Sequence, residues 1–309
     1  MQGISTNSQV PKECCKKGKL PRQLFLCLLS NFYSIFEIVF VYFVMKRFHH
    51  ILTGLAILLL ISCSADPAEI EALYQSGQYE RAIEAINRRL FLHVNEIKSI
   101  HIRARCYEEL GKTKEAIADY ETIISIDPAY AQAHAGIGKI LFEKEYYRQA
   151  ELPILKASSL DPEDFEILYL AGRSQLMVKN WERAENFLKL AQTMNPDFAE
   201  TYYYMGMARA GRGDIYGAAA SFNTYLKKEP DNITARYNRG FALLKIGYLS
   251  WALEDFDFVL KNRPDHIEAL GKKGICMARM GNPEGCQLIK EAADKGSDYA
   301  LNKMEEYCS

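Results

Sequence analysis

The chain carries few residues whose types and spacing could support catalysis. Of its six histidines, two lie near the amino terminus, and the others, His93, His101, His134 and His266, are scattered without metal-ligand spacing. The sequence has no H-E-x-x-H motif, no phosphate-binding G-x-x-x-x-G-K-[ST] loop and no G-x-S-x-G nucleophile turn. We therefore expect a protein that is not an enzyme and that needs no metal or cofactor.

The residues that precede Cys63 give the clearest indication of covalent chemistry in the chain. From Met45, two cationic residues precede the apolar run 51–61, which ends in Leu-Ile-Ser directly before Cys63. This order of charge, apolar core and small residues is typical of a secretory signal. Its end resembles the lipobox of bacterial lipoproteins. The resemblance implies that 45–62 is a signal peptide that is removed and that Cys63 is then acylated, with the two or more chains that stable anchoring requires.

Residues 1–44 fit neither this signal nor the rest of the chain. They contain lysines followed by a second apolar stretch, 24–44. The segment is either an extra membrane helix or a non-native extension upstream of the true start. We favour Met45 as the start, because a complete export signal begins there. The competing interpretation of 45–63 is a transmembrane helix with an incidental cysteine, although its apolar run is short for that role.

Beyond residue 63 the sequence repeats every 34 residues. Five prolines keep this interval: Pro128, Pro162, Pro196, Pro230 and Pro264. If they are counted as position 32, repeats start near residues 63, 97, 131, 165, 199, 233 and 267. Position 20 is alanine in six repeats, position 8 is alanine or glycine, and position 24 is bulky and apolar. The pattern predicts two helices per repeat, joined by a turn at position 15 and stopped by the proline.

These positions resemble the tetratricopeptide repeat (TPR) family, whose 34-residue unit is a helical hairpin. The resemblance covers about 66–309 and is weaker where Val94 replaces the proline and where Cys286 replaces the alanine at position 20. It implies an all-α fold, a right-handed α-α superhelical solenoid of about seven hairpins over 63–309, with a capping helix near 297–309.

The family geometry places positions 5 and 9 of each first helix in a concave groove. In the central repeats this predicts a protein-binding surface of mixed chemistry: Lys139, Tyr169, Arg173, Tyr203, Met207, Tyr237 and Phe241. Tyrosine offers apolar area and a hydroxyl at low rotamer cost, which suits recognition of an extended or helical segment. The competing interpretation is that the three tyrosines only pack against neighbouring helices. The surface changes from cationic to apolar along the repeats, which suggests a ligand with an acidic and an apolar portion.

The charge balance and the cysteines narrow the function further. The chain has 38 basic and 39 acidic side chains, so nothing favours binding of nucleic acid. No small-molecule substrate is expected either. Cys286 lies on the last repeat's second helix and Cys308 near the end of the cap, and a disulfide between them would fasten the cap in an oxidising compartment. The alternative is that both are unpaired cysteines.

The sequence thus predicts a lipid-anchored scaffold that binds a protein or peptide partner in its groove. The membrane is contacted through the acyl chains, and we expect the protein at the bacterial cell envelope, facing the periplasm and more often on the outer than on the inner membrane. The alternative is a structural spacer or oligomerisation scaffold without a groove ligand. An enzyme with an unrecognised site is a more distant alternative.

Overall fold

The computed structural model describes Lys46 and residues 65–308. The predicted segment 1–44, the predicted signal 45–62 apart from Lys46, and the acylation site Cys63 lie outside the described residues. Among the helices that are described, none combines the length and the apolar character that crossing a membrane requires.

Residues 65–308 form seven helical hairpins followed by a single helix, with no strand. The first helices are α1 (Pro67–Gln75), α3 (Ile97–Glu109), α5 (Ala131–Glu143), α7 (Phe165–Met177), α9 (Ala199–Arg212), α11 (Ile233–Ile246) and α13 (Ile267–Arg279). The second helices are α2 (Tyr79–Leu92), α4 (Thr113–Ile126), α6 (Tyr147–Leu160), α8 (Trp181–Met194), α10 (Ile215–Lys228), α12 (Leu249–Asn262) and α14 (Glu284–Asp294). The last helix is α15 (Asp298–Cys308). Together they make the all-α, right-handed superhelical solenoid that the repeat predicts.

Local sequence sets where each hairpin begins and ends. The first helices of the second to seventh hairpins begin at residues 97, 131, 165, 199, 233 and 267, where the sequence places the repeat starts. Asp164 caps α7 by accepting a hydrogen bond from the Ile167 amide at 3.0 Å. Five of the second helices end two residues before a proline. In α6 the residue between them, Asp161, leaves helical geometry with φ −133° and ψ 85°. Proline forces that change, because its ring clashes with a helical predecessor.

The small and bulky positions of the repeat form the core. Alanine at position 20 is fully buried in six hairpins, and the bulky residue at position 24 is at most 2% exposed in each of them. A small residue at position 8 lets the two helices of a hairpin approach, so that the bulky side chain packs beside their contact. This packing confirms the helical hairpin predicted from the period.

The last hairpin departs from the predicted register by one residue. The sequence pattern assigns Cys286 to position 20, but Gly285 is the buried residue there, and Ile289 takes the place of the bulky residue one position early. Pro283 directly precedes α14, which begins one residue later in its repeat than the other second helices do. Cys286 is consequently turned out of the hairpin contact, towards α15.

The helix α15 closes the end of the array. A disulfide joins Cys286 to Cys308, with their Cα atoms 5.5 Å apart. The buried ammonium of Lys272 pairs with Glu268 at 2.6 Å and lies 4.3 Å from the ring centroid of Tyr299 on α15. The cap is therefore held by a covalent bond and by a buried cation, and its exposed face includes Glu305 and Glu306.

Two turns place a side chain where the other repeats have glycine. Glu145 and Lys179 have φ of 63° and 61°, in the left-handed region. Replacing either with glycine should raise the free energy of unfolding by about 1 kcal/mol, because the side chain makes this backbone region costly. Denaturant unfolding would measure the gain. The neighbouring residue Lys144, at φ −84°, is the control, and glycine there should destabilise the protein.

A buried ion-pair motif joins neighbouring repeats and occurs twice. The Arg239 guanidinium donates two hydrogen bonds to Asp255, at 2.8 and 2.7 Å, and a third to Asn223 of the preceding hairpin at 2.8 Å. Arg103 makes the same contacts with Asp119, at 2.8 and 2.6 Å, and with Asn87 at 2.7 Å. Each residue lies 16 positions from the next. Sequence analysis missed this motif, although the repeated spacing of asparagine, arginine and aspartate was a detectable signal.

Candidate functional site: a cavity on the inner surface

A concave site lies on the inner surface formed by α3, α5 and α7. It is a cavity of about 400 Å³ that spans three consecutive hairpins. Its lining includes His101, Arg105, Lys139, Tyr169 and Arg173. Because each first helix contributes one side of the cavity, the 34-residue repeat itself brings together groups that are far apart in the chain.

Small residues on α5 keep the cavity open. Ala135 and Gly136 lie at the floor, between the larger side chains of α3 and α7. A Cβ atom at Gly136 would collide with the Tyr120 ring, whose nearby atoms include Cε1 at 2.9 Å. Glycine therefore lets Tyr120 fill the floor from below. The Tyr120 hydroxyl donates a hydrogen bond to Glu108, and burial together with that carboxylate raises its pKa.

Each of the three helices contributes one cation to the cavity, and the contacts of the three cations differ. Arg105 lies over the Tyr74 ring, 4.6 Å from the centroid. Lys139 pairs with Glu108 at 3.0 Å. Burial by itself would lower the lysine pKa, but this hydrogen bond and the surrounding carboxylate charges together raise it. Arg173 has no carboxylate within 4.0 Å among the described residues.

Aromatic rings surround the Arg173 guanidinium. Its central carbon lies 4.9 Å from the ring centroid of Phe142, 5.5 Å from that of Tyr169 and 5.2 Å from that of Tyr204. We call these three rings the aromatic collar. Its Nε atom is buried and has no hydrogen-bond partner among the described residues. Cation–π contact thus fixes the position of the charge but leaves hydrogen-bonding capacity unused.

The rim of the cavity has the opposite sign. Glu109, Glu143 and Glu166 are exposed around it. His101 lies inside, and burial followed by repulsion from Arg105 lowers its pKa, so the imidazole is neutral at pH 7. The site therefore presents cations along its three helices and carboxylates at its edge, and its surface suits a polar segment of mixed charge better than a uniformly charged polymer.

The structure brings only part of the predicted surface into this cavity. Lys139, Tyr169 and Arg173 line it, whereas Met207 is exposed one hairpin further along. Phe241 lies near the capped end, with its ring centroid 5.8 Å from that of Tyr299. The predicted surface is thus divided into an open part, with Lys139, Arg173 and Met207 on α5, α7 and α9, and a part that the cap helix covers.

The tyrosines mostly pack. Tyr169 is only 9% exposed, with its ring stacked on Phe165. Tyr203 packs on Tyr225, and its hydroxyl accepts a hydrogen bond from Asn238 at 3.3 Å. These contacts agree with the competing interpretation, in which the tyrosines pack against neighbouring helices.

Tyr237 likewise packs, between Phe256 and His266 at 6.2 and 4.8 Å between ring centroids. Arg105 occupies position 9, which the family geometry places in the groove. Glu108, Gly136 and Phe142 were not predicted as site residues. Position 12 of the repeat was the signal for Glu108, and the glycine at position 6 had no signal without the neighbouring Tyr120.

Within the described residues, no group of three or more histidine, cysteine, aspartate or glutamate side chains is arranged to hold a metal ion. The cavity pairs no nucleophile with a general base. What its residues can do is bind: they offer fixed cations, aromatic faces and an acidic rim.

Comparisons with known proteins agree with the hairpin geometry. The family described as "TPR repeat" matches residues 105–144, and the family described as "Anaphase-promoting complex, cyclosome, subunit 3" matches residues 66–123. A TPR repeat-containing protein of Pseudomonas aeruginosa is 28% identical over 130 residues, which cover 42% of this chain and 22% of that protein. The human protein O-mannosyl-transferase TMTC1 is 25% identical over 158 residues, or 50% of this chain and 18% of that enzyme. The chain thus spans less than a quarter of the length of either relative.

Among solved structures, the crystal structure of YrrB, described as a TPR protein with an unusual peptide-binding site, superposes with a TM-score of 0.58. It is 24% identical and covers 62% of this chain and 98% of its own. At that identity the likeness concerns the fold. One fold accounts for the proline period and the buried small positions. The same fold accounts for the family matches and for this superposition. The described part of the chain folds as a superhelical solenoid of TPR-type helical hairpins.

Proposed function

We propose that the protein is a non-catalytic scaffold that holds an extended segment of a partner protein in the cavity between α3, α5 and α7. TPR folds bind protein or peptide partners, and this fold suggests a role in protein–protein interaction. The observation that supports this cavity is its open floor, where Ala135 and Gly136 leave room between fixed cations and aromatic rings.

The dimensions favour a short extended segment. A volume of about 400 Å³ lies within the range of pockets that enclose small ligands or a few side chains. Neighbouring packed helices lie about 8–10 Å apart, so the three first helices span roughly 20 Å. At about 3.3 Å per residue, an extended chain of about six residues crosses that distance.

Filling the cavity should abolish binding. Ala135→Trp places an indole on the floor, and we expect at least tenfold weaker binding of ten-residue peptides selected on the full-length protein from a random displayed library. Fluorescence anisotropy measures the dissociation constants. The control is Ala118→Trp, at an exposed alanine on the second helix α4, which should bind as the wild type does. Equal affinity of the Ala135→Trp variant would contradict binding in this cavity.

We further propose that the protein is a lipoprotein of the bacterial cell envelope, anchored through Cys63 and facing the periplasm. The support is the run of 45–63, which has the order of a lipoprotein signal. Ser64 follows the cysteine, and an outer-membrane destination is the one we favour. With two or more acyl chains, attachment is stable, since each buried methylene contributes about 0.8 kcal/mol.

Mass spectrometry of the amino terminus tests the anchor. We expect the mature native chain to begin at Cys63 and to carry acyl chains that add their mass to this residue alone. In a Cys63→Ser variant, we expect neither acylation nor release of 45–62. A wild-type protein that retains residues 45–62 and lacks acyl groups would exclude the lipoprotein.

A second candidate function, oligomerisation scaffold, has one observation in its favour. An aromatic patch of Tyr216, Tyr248 and Trp251 is exposed on the outside of the array, and the rings of Tyr248 and Trp251 are stacked with centroids 5.3 Å apart. Such a patch suits a protein contact. Analytical ultracentrifugation of the wild type and of Trp251→Ser tests this function. It predicts a stable oligomer for the wild type and dissociation of that oligomer in the variant.

A further inference from the structure

We propose that Arg173 is an anion receptor and that the segment bound in the cavity presents to it one side-chain carboxylate, from aspartate or glutamate. This inference rests on the proposed function and specifies the chemistry of the partner. It also divides the cavity into a receptor at α7 and a path for the chain along α5 and α3.

Arg173 differs from the other half-buried arginines that the structure describes. Among the described residues, six arginines are half-buried, and five of them pair with a carboxylate: Arg89, Arg103, Arg209, Arg236 and Arg239. Arg173 is the sixth, and it has no carboxylate partner within those residues. A half-buried guanidinium has lost part of its hydration, so a bound carboxylate would restore hydrogen bonds that the fold does not supply.

The packed rings hold the Arg173 guanidinium in place. The ring centroids of the aromatic collar, Phe142, Tyr169 and Tyr204, lie 4.9–5.5 Å from the central carbon of the guanidinium. Tyr169 is itself buried, so the collar is part of the packed core and the cation is held before any ligand arrives. A planar guanidinium matches a carboxylate with two parallel hydrogen bonds, which a preorganised side chain makes at low entropic cost.

The charges around the receptor limit the ligand to one carboxylate. Lys139, the next cation, is already paired with Glu108. Glu109, Glu143 and Glu166 surround the cavity and would repel a run of acidic residues or a doubly charged phosphate. We therefore expect a single acidic residue flanked by neutral or basic residues.

A side chain suits this place better than a chain terminus. Past Arg173, the exposed Met207 of α9 continues the inner surface, so the partner chain has a surface to follow beyond the receptor. A terminal carboxylate would end there and leave Met207 uncovered. A bulky apolar residue a few positions from the acidic one would fit this arrangement.

The experiment uses the full-length protein and a displayed library of random ten-residue peptides, made with free and with amidated carboxyl termini. We expect amidated peptides to be selected with one aspartate or glutamate. Changing that residue to its amide should weaken binding to the wild type at least tenfold and should not weaken binding to Arg173→Gln. Arg173→Lys should keep part of the preference because it keeps the charge. The control Arg183→Gln changes an exposed arginine on α8 and should behave as the wild type does.

The outcomes separate this inference from the proposed function. The selected peptides could show no enrichment of aspartate or glutamate and still fail to bind Ala135→Trp. That result would overturn the role of Arg173 as an anion receptor, but it would still support peptide binding in the cavity. Selection of peptides with free carboxyl termini only would replace the side-chain carboxylate with a terminal one and overturn the proposal. Absence of any selected peptide would overturn both. Circular dichroism of Arg173→Gln and Arg173→Lys verifies that each variant is folded.

Discussion

Replacing Asp255 with alanine should lower the free energy of unfolding by about 3–5 kcal/mol. The carboxylate is fully buried and accepts two hydrogen bonds from Arg239 and a longer one, at 3.4 Å, from Arg236. Alanine would leave two half-buried guanidinium groups without their counter-ion in a site that water reaches poorly. Denaturant unfolding followed by circular dichroism measures the loss, and hydrogen exchange in α11 and α12 locates it.

A control two residues away separates burial from charge. Asp257 is also on α12 and pairs with Lys273 at 2.7 Å, but its side chain is 51% exposed. Asp257→Ala should therefore cost less than about 1 kcal/mol. In addition, Arg239→Met combined with Asp255→Leu should recover part of the loss, because only Arg236, whose contact with Asp255 is the longer one at 3.4 Å, then lacks its counter-ion. Equal effects of Asp255→Ala and Asp257→Ala would show that the buried motif does not stabilise the array.

Replacing Gly274 with alanine should destabilise the last hairpin by about 2 kcal/mol. A Cβ atom there would lie 2.7 Å from the Gly285 carbonyl oxygen and 2.9 Å from the Ile289 amide nitrogen. Both are backbone atoms of α14, so relief requires the two helices to move apart. We expect the clash to cost about 3 kcal/mol and the better helix propensity of alanine to return about 1 kcal/mol. Thermal unfolding and hydrogen exchange in α13 and α14 measure the result.

The matched control is the same position one repeat earlier. A Cβ atom at Gly240 would approach Asp255 Cβ to 3.0 Å and the Phe256 ring to 3.2 Å, less closely than the backbone contacts at Gly274, so a displacement of a few tenths of an ångström is enough. Gly240→Ala should therefore leave stability within about 1 kcal/mol of the wild type, since strain and propensity oppose each other. Ala104 already occupies this position in an earlier repeat and is fully buried. A Gly274→Ala variant as stable as Gly240→Ala would refute the backbone contact.

The fold could be predicted from the sequence because the same residue types recur at fixed positions in several repeats. Proline, alanine and the bulky apolar residue at fixed positions determine where a helix ends, where two helices touch and what fills the space beside them. The left-handed turns of Glu145 and Lys179 show the strength of that repetition, since the backbone keeps the turn where the residue does not favour it.

The candidate site was only partly accessible to the same reasoning. Positions 5 and 9 indicated the inner surface, but the period could not distinguish the packed Tyr169 from an exposed tyrosine. That difference depends on Phe198 and Tyr204, which come from the next hairpin and approach Tyr169 to 5.1 and 5.8 Å between ring centroids. Contacts between repeats combine residues whose types vary from one repeat to the next.

The sequence by itself determined the unit, its length, its helical hairpin and the number of copies, because these follow from local propensity and from periodic burial. Only the tertiary structure decided that Gly285 replaces Cys286 in the last hairpin contact, that α15 covers one end of the groove, and that Arg173 has a collar of rings and no carboxylate partner within residues 65–308. The physical reason is that side-chain partners across repeats are set by distances between helices, which a period along the chain does not contain.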